Sequence, residues 1–301
     1  MSTASGVYSC ATGEKSSALA YYSCATGACS WASGYAAKAT GLESSASGYK
    51  ATASGSNSTA SGHYSSATAI KTAAFGVYVT ASGCYSNAFG YHSCTGTAAG
   101  GKFATALGFR SCAIAQASTA SGYHTCATGT NSSAFGRSSC AVGINDLAVG
   151  FCAITVPFAG ATNQCPEANI SIGFCTKAQN GFRCDEATDY HQTSVAIGSC
   201  SCSTSCASLA VGLCNQATGF KASALGIESC ATGLKASAFG IGSCATTTGT
   251  VALGWKSCAT GADGTASGVY ATATGAQSNA FGRLALASGV ESTSIGQCTQ
   301  A

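Results

Sequence analysis

From Ser194 to Gly296 the chain alternates small and variable positions in blocks of seven. Starting at Ala222 it reads ASALGIE SCATGLK ASAFGIG SCATTTG TVALGWK SCATGAD GTASGVY ATATGAQ SNAFGRL ALASGVE STSIG. Each block is small–x–Ala–x–Gly–x–x, and the residue before the glycine position alternates along the chain: Ile197, Thr204, Val211, Thr218, Leu225, Thr232, Phe239, Thr246, Leu253, Thr260. The repeat is therefore a pair of blocks, one apolar at this position and one carrying Thr, and such a period must be read before any local motif. Side chains that alternate over five residues suit a short strand. The glycine and the two residues after it supply a corner, since Gly tolerates the positive φ of a tight turn. Two strands and two corners predict an all-β, parallel β-solenoid (a β-roll) with about 14 residues per coil and coils stacked about 4.8 Å apart. Some 21 coils then make a rod on the order of 100 Å long.

The same register runs through the N-terminal part, from Gly6 to Gly90, with Ala20 and Ala69 in two glycine slots. It slips by about four residues around CTGTAAGG and resumes from Gly108 to Gly150; a slip of that size fits a bulged corner or an enlarged turn. Between Phe151 and Thr193 the pattern fails. This stretch holds both prolines, Pro157 and Pro166, four acids (Glu167, Asp185, Glu186, Asp189) and one relic of the repeat, NISIG. The expected organisation is one continuous solenoid: regular roll at 1–92, a slip at 93–101, roll at 102–150, an irregular insertion at 151–193, and roll at 194–301.

Corners this short cannot hold two sheets at the usual separation of about 10 Å. The first, Ala and Gly columns are thus expected to face inward in a thin roll. The apolar column and the Thr column then point outward on opposite faces. An outward stripe of Val211, Leu225, Phe239, Leu253, Phe281 and Ile295 is one that a soluble monomer does not leave bare. Self-association along it, as a cyclic trimer or dimer, is the expected remedy; the alternative is that these side chains turn inward and form an ordinary core. At one corner Tyr21, Tyr35, Tyr49, His63, Val77 and Tyr91 recur once per coil, as do Phe109, Tyr123, Arg137 and Phe151. Rings at this spacing pack on one another along the stack.

Composition sharpens this picture. Only 8% of the 301 residues are charged, with 39 Gly and a single Met. A thick core of large side chains is excluded, and strict periodicity argues against the disorder that polar low complexity suggests. The net charge of +3 has no Lys/Arg run behind it, so a nucleic-acid partner is not expected. The start, MSTASGVYSC, has neither the basic nor the apolar region of a signal peptide. No stretch is apolar enough to predict membrane insertion.

The blocks SVAIG (194–198), SLAVG (208–212), SALG (223–226) and SIG (294–296) resemble the head repeats of YadA-type trimeric autotransporter adhesins. The resemblance extends over roughly 250 of the 301 residues on a short motif of common residue types. It implies a left-handed parallel β-roll, assembled as a trimer around an apolar face. The family's signal peptide, coiled-coil stalk and membrane anchor are not read in this sequence, and columns of Cys are not a mark of its heads. The resulting expectation is a structural or adhesive fibre or surface protein, extracellular or on a particle such as a virion. Its partners are further copies of itself, including end-to-end contacts at open strand edges, and a host-surface or other structural protein.

Eight of the twenty cysteines form columns with the same period. Cys10 and Cys24, then Cys112, Cys126 and Cys140, then Cys230, Cys244 and Cys258 each step by one coil in the Thr-type blocks. Neighbours near 4.8 Å apart at Cα fall within the disulfide window, yet a column of three cannot pair within itself. Cytosolic synthesis favours free thiols as small apolar fillers; ladder disulfides remain the other reading. The cluster Cys200, Cys202, Cys206, Cys214 with His191 lacks the paired spacing of a structural zinc site, so local disulfides or packed thiols fit it better. The nonapeptide of calcium β-rolls is excluded by a chain with four Asp. No cofactor and no metal are expected. Catalysis is not expected either: His63, His92 and His124 sit in corners, and no nucleophile elbow or ordered triad accompanies the many Ser. The rival function is ice binding, with the Thr column ordering water on a flat β-face. Polysaccharide binding by the Tyr corner is a third possibility.

Overall fold

The computed structural model describes residues 1–97, 101–157, 168–179 and 193–301. Pro166, Glu167, Asp185, Glu186, Asp189 and His191 lie outside the described residues. The described residues form strands and turns, with no helix among them. The chain divides into two compact units, Met1–Val142 and Gly143–Ala301, each a parallel β-solenoid.

Within a coil of the second unit, strand Ser223–Ile227 is followed by a corner, strand Cys230–Ala231, a second corner, and then strand Ser237–Ile241 of the next coil. The longer strands stack in register, Leu225 on Phe239 and Gly226 on Gly240, to form one sheet. The two-residue strands stack Cys230 on Cys244 and Ala231 on Ala245 to form the other. The first unit repeats the arrangement, for example Ala73–Val77 on Asn87–Tyr91 and Ser66–Ala67 on Thr80–Ala81.

The interior is made of the smallest side chains. Ala224, Ala231, Ala238, Ala245, Ala252 and Ala259 are fully buried, and so are Ser229, Ser243 and Ser257. An Ala-lined interior lets the two sheets lie close together, and that explains the scarcity of buried Leu and Phe. The polar groups inside are partly tied to backbone: Ser229 Oγ donates to the Gly240 carbonyl at 2.8 Å, and Ser243 Oγ donates to Ser229 Oγ at 3.0 Å.

The two glycine positions prove to have different jobs, although they read alike in sequence. In the apolar blocks the glycine takes a conformation that side chains rarely adopt: Gly240 has φ 137°, and Ala20, in the same slot, has φ 94°; a methyl at Gly240 would in addition overlap the Gly254 carbonyl oxygen of the next coil. In the Thr blocks the backbone is ordinary and the constraint is space: a methyl at Gly275 would overlap the carbonyl oxygen of Gly289 in the next coil. The left-handed turn residue is the last of each block and is commonly not glycine, as at Lys15 (φ 55°), Tyr64 (φ 56°) and Cys214 (φ 54°). The turn closes through Ser16 N–H to the Gly13 carbonyl (3.2 Å), and Ser16 Oγ donates to the same oxygen at 2.7 Å. A serine opening the next block therefore locks the corner.

The spacing is lengthened at three places. In the first unit Asn87 pairs with Thr105 and Cys94 with Cys112, so across the slip at 93–101 the step between coils is eighteen residues and the ladder on either side stays in register. In the second unit Leu147 pairs with Ile170 and Ile170 with Val195. Between 151 and 193 the described residues include strands Ile154–Val156, Ile170–Phe174 and Lys177–Gln179. NISIG is thus a working coil.

One buried acid departs from the small-residue rule. Asp146 opens its block where Ser or Ala is usual, and is 1% exposed. Its carboxylate accepts from Gly143 N–H (2.7 Å) and Asn169 N–H (2.8 Å). Burial pushes its pKa above the usual carboxylate range, against the opposing pull of these hydrogen bonds. A raised folded pKa means stability is fully present below the unfolded value and is lost as pH rises through the folded one. Calorimetry between pH 4 and 7 is therefore expected to show the wild-type melting temperature falling with pH relative to Asp146→Ser. An unchanged difference across that range would show that Asp146 titrates normally.

Candidate functional site: an apolar face, thiol columns and an aromatic corner

The first candidate site is the outer surface of the long-strand sheet in the second unit. Val211, Leu225, Phe239 and Leu253 follow one another in register, and Phe281 and Ile295 continue the column beyond Ser267. Strand alternation puts their Ala neighbours inside at 0% exposure and these side chains outside; Phe281 is 39% and Ile295 70% exposed. The same column includes Val149, Ile172 and Ile197, brought into line by the lengthened coils.

A second apolar column runs beside it on the same face: Leu147, Ile170, Val195 and Leu209, in four successive coils. The sequence reading missed these residues. Their signal is a large apolar residue at the second position of a block, where Ser or Thr is usual, as in LAVG, ISIG, VAIG and LAVG. At these four coils the apolar face is two side chains wide. In the first unit the corresponding column is mixed, with Leu19, Phe75, Phe89, Leu107 and Phe135 separated by serines in several coils.

On the opposite sheet the thiols line up. Cys10 pairs with Cys24, Cys112 with Cys126, Cys126 with Cys140, Cys230 with Cys244 and Cys244 with Cys258. Cys112 is disulfide-bonded, but its partner is Cys94 of the preceding coil, with Cα atoms 4.8 Å apart. The two lie eighteen positions apart in the sequence, so the pair is hidden at the regular spacing. Cys10, Cys24, Cys230, Cys244 and Cys258 are not bridged. Cys126 and Cys140 share a hydrogen bond that lowers the first thiol to about 7 and raises the second. In the first unit Lys38 stands in the column of Cys24, and in the second unit Lys177 and Gln216 stand in the column of Cys202.

The cluster considered for zinc does not converge. Cys202 lies on this sheet, Cys206 is buried at one corner, and Cys200 and Cys214 share the other corner in consecutive coils; His191 lies outside the described residues. Among the described residues, no group of three or more His, Cys, Asp or Glu is placed to hold a metal ion.

At the aromatic corner of the first unit Tyr21, Tyr35, Tyr49 and His63 form a stack with centroid distances of 5.4, 5.1 and 4.9 Å, and Tyr91 stacks on Phe109 at 5.1 Å. A second stack, at the left-handed turn position beside it, joins Tyr64, Tyr78 and His92. Lys50 Nζ donates to Tyr64 Oη at 3.0 Å, and that bond holds its pKa above the ordinary value. Each ring covers the face of the next, leaving mainly edges and hydroxyls outward, a poor surface for stacking sugar rings. His63 and His92 are members of these stacks.

The chain matches the model of the YadA head domain repeat (2 copies) at residues 39–65, 113–139, 127–151, 231–257 and 259–285. A search of the curated proteins finds no match.

Proposed function

We propose that this chain, whose coils are YadA-type head repeats, is an adhesive structural protein that self-associates through its apolar outer face. YadA head domains form trimers and belong to surface-exposed adhesins, so a homo-oligomer displayed at a surface is the setting these repeats imply. The trimer is the assembly proposed for this chain, and the surface of an extracellular fibre or virion is its proposed place. A host-surface protein or another structural protein is its proposed partner.

The observation that carries the reading is the double apolar column over Leu147, Ile170, Val195, Leu209 and Val149, Ile172, Ile197, Val211. Water-exposed apolar surface of this extent is stabilised by burial at about 25 cal/mol per Å², and a column repeated along parallel coils offers identical copies a self-complementary surface. The function is binding rather than turnover: the face offers shape and apolar area but no acid, base or nucleophile. Light scattering on the purified chain tests it, with the mass of three 29.3 kDa chains expected; a stable monomer at micromolar concentration overturns it.

The rival reading needs an uninterrupted Thr surface. The outward column of the Cys/Thr sheet carries Lys38 in the first unit and, in the second, Lys177 and Gln216, and charges and long amides break an ice-like water lattice. No thermal hysteresis is therefore expected from the same preparation.

A further inference from the structure

The unit Gly143–Ala301 holds two columns of thiols that self-association through the apolar face does not use. On the Cys/Thr sheet, Cys230, Cys244 and Cys258 stand rung over rung in a parallel ladder. At the corner, Cys152, Cys175, Cys200 and Cys214 occupy the left-handed turn position of four successive coils, with φ of 51°, 51°, 54° and 54°. Backbone bonds of 2.8 Å tie them: Cys175 N–H to the Phe151 carbonyl, Cys200 N–H to Phe174 and Cys214 N–H to Ser199. This second column is invisible at the regular spacing, because two of its three steps pass through lengthened coils. All seven thiols are unbridged and reach the surface: Cys175, Cys200 and Cys214 are exposed, the others half-buried.

Ladder geometry fixes what such a column can hold. Rungs of a parallel β-ladder are about 4.8 Å apart, as at the Cα atoms of Cys94 and Cys112. Two metal–thiolate bonds of about 2.3 Å laid end to end span about 4.6 Å. A cation with two ligands on opposite sides therefore fits between adjacent rungs without moving the backbone. A tetrahedral ion needs donors converging from four directions, and a straight column supplies them from two. We propose that these columns bind a soft, two-coordinate monovalent cation of the copper(I) or silver(I) type, one between each pair of adjacent thiols. Thiolate softness selects such ions over magnesium or calcium, and the linear arrangement selects them over zinc.

The step balances without a redox partner. Each isolated pair takes up one cation: two S–H bonds break, two metal–sulfur bonds form, both protons pass to water, and the metal keeps its charge. In the column of three, the Cys244 sulfur bridges two cations and three protons leave. Burial raises the Cys230 and Cys258 thiols above their ordinary range, so before binding they are protonated and poor nucleophiles at neutral pH.

The test is titration of the reduced, desalted full chain with silver nitrate in chloride-free buffer, against an excess of a small monothiol that strips singly held ions. Bound silver is counted by native mass spectrometry. Removing the middle rung leaves Cys230 and Cys258 about 9.6 Å apart, too far for one ion to span. Cys244→Ser is therefore expected to lose two silver ions, Cys258→Ser one, and Cys298→Ser, whose preceding coil carries Leu284 at the same turn position, none. Serine is already accommodated at this column position at Ser66, and circular dichroism checks each variant's fold. Equal losses from the three variants, or a Cys244→Ser loss other than two, overturn the proposal, as does zinc(II) retained as tightly as silver. The chain's mass in solution is measured separately, so a failure here leaves the adhesive reading standing.

Discussion

Replacing Phe239 and Leu253 together by Asp is expected to reduce the mass in solution to that of a single 29.3 kDa chain while the β circular-dichroism signal stays unchanged. The two side chains are adjacent rungs on the outer face, with Leu253 37% exposed in the isolated chain. Neither touches the Ala interior, so each coil keeps its own packing. In an assembly the same positions become an apolar seam, where every added carboxylate must be buried without a partner. An uncompensated buried charge costs about 3–5 kcal/mol, and each copy contributes two such charges. Light scattering and sedimentation decide it. An unchanged mass would place the assembly seam on another face, and loss of the β signal would mean that these side chains support the fold itself.

The second large effect separates two glycines that look equivalent. Gly275 and Gly289 hold the same place in successive Thr-type coils, and neither has a positive φ. A methyl on Gly275 would overlap the Gly289 carbonyl oxygen, whereas one on Gly289 would meet only Ser292, its Cβ at 3.4 Å. Gly275→Ala forces coils apart where the backbone cannot yield, a cost expected at about 3 kcal/mol, the upper end for overpacked sites. Gly289→Ala, with ordinary contacts, is expected to change stability by about 0.5 kcal/mol or less. Urea unfolding of the two variants compares them directly. Equal losses would show that backbone conformation, and not the stacking of coils, is what these glycines serve.

The order of the coils and the chemistry of the two faces were open to sequence reasoning because both follow from short periods. Alternation of small residues places Ala224 and Ala238 inside and Leu225 and Phe239 outside, and the paired blocks separate an apolar sheet from a Cys/Thr sheet. That inference needs only the two-residue period of a strand and the size of the side chains. What it could not reach lies wherever the step between coils departs from fourteen. Cys94 and Cys112 are bonded across a step of eighteen residues. Leu147, Ile170, Val195 and Leu209 form one column although two of the steps between them are longer than fourteen residues. The same holds for Cys152, Cys175, Cys200 and Cys214.

The two roles of glycine were equally hidden. A residue pattern records that no side chain is tolerated, but not whether φ or a neighbouring carbonyl forbids it. The coil, its Ala interior and the character of each outer face follow from the residue pattern, since these depend on neighbours a fixed number of residues away. Tertiary structure alone decided which columns are continuous, which thiols are adjacent and where the apolar face is widest. Those contacts depend on hydrogen-bonded register between coils, which is kept across steps of unequal length and so cannot be read from the spacing.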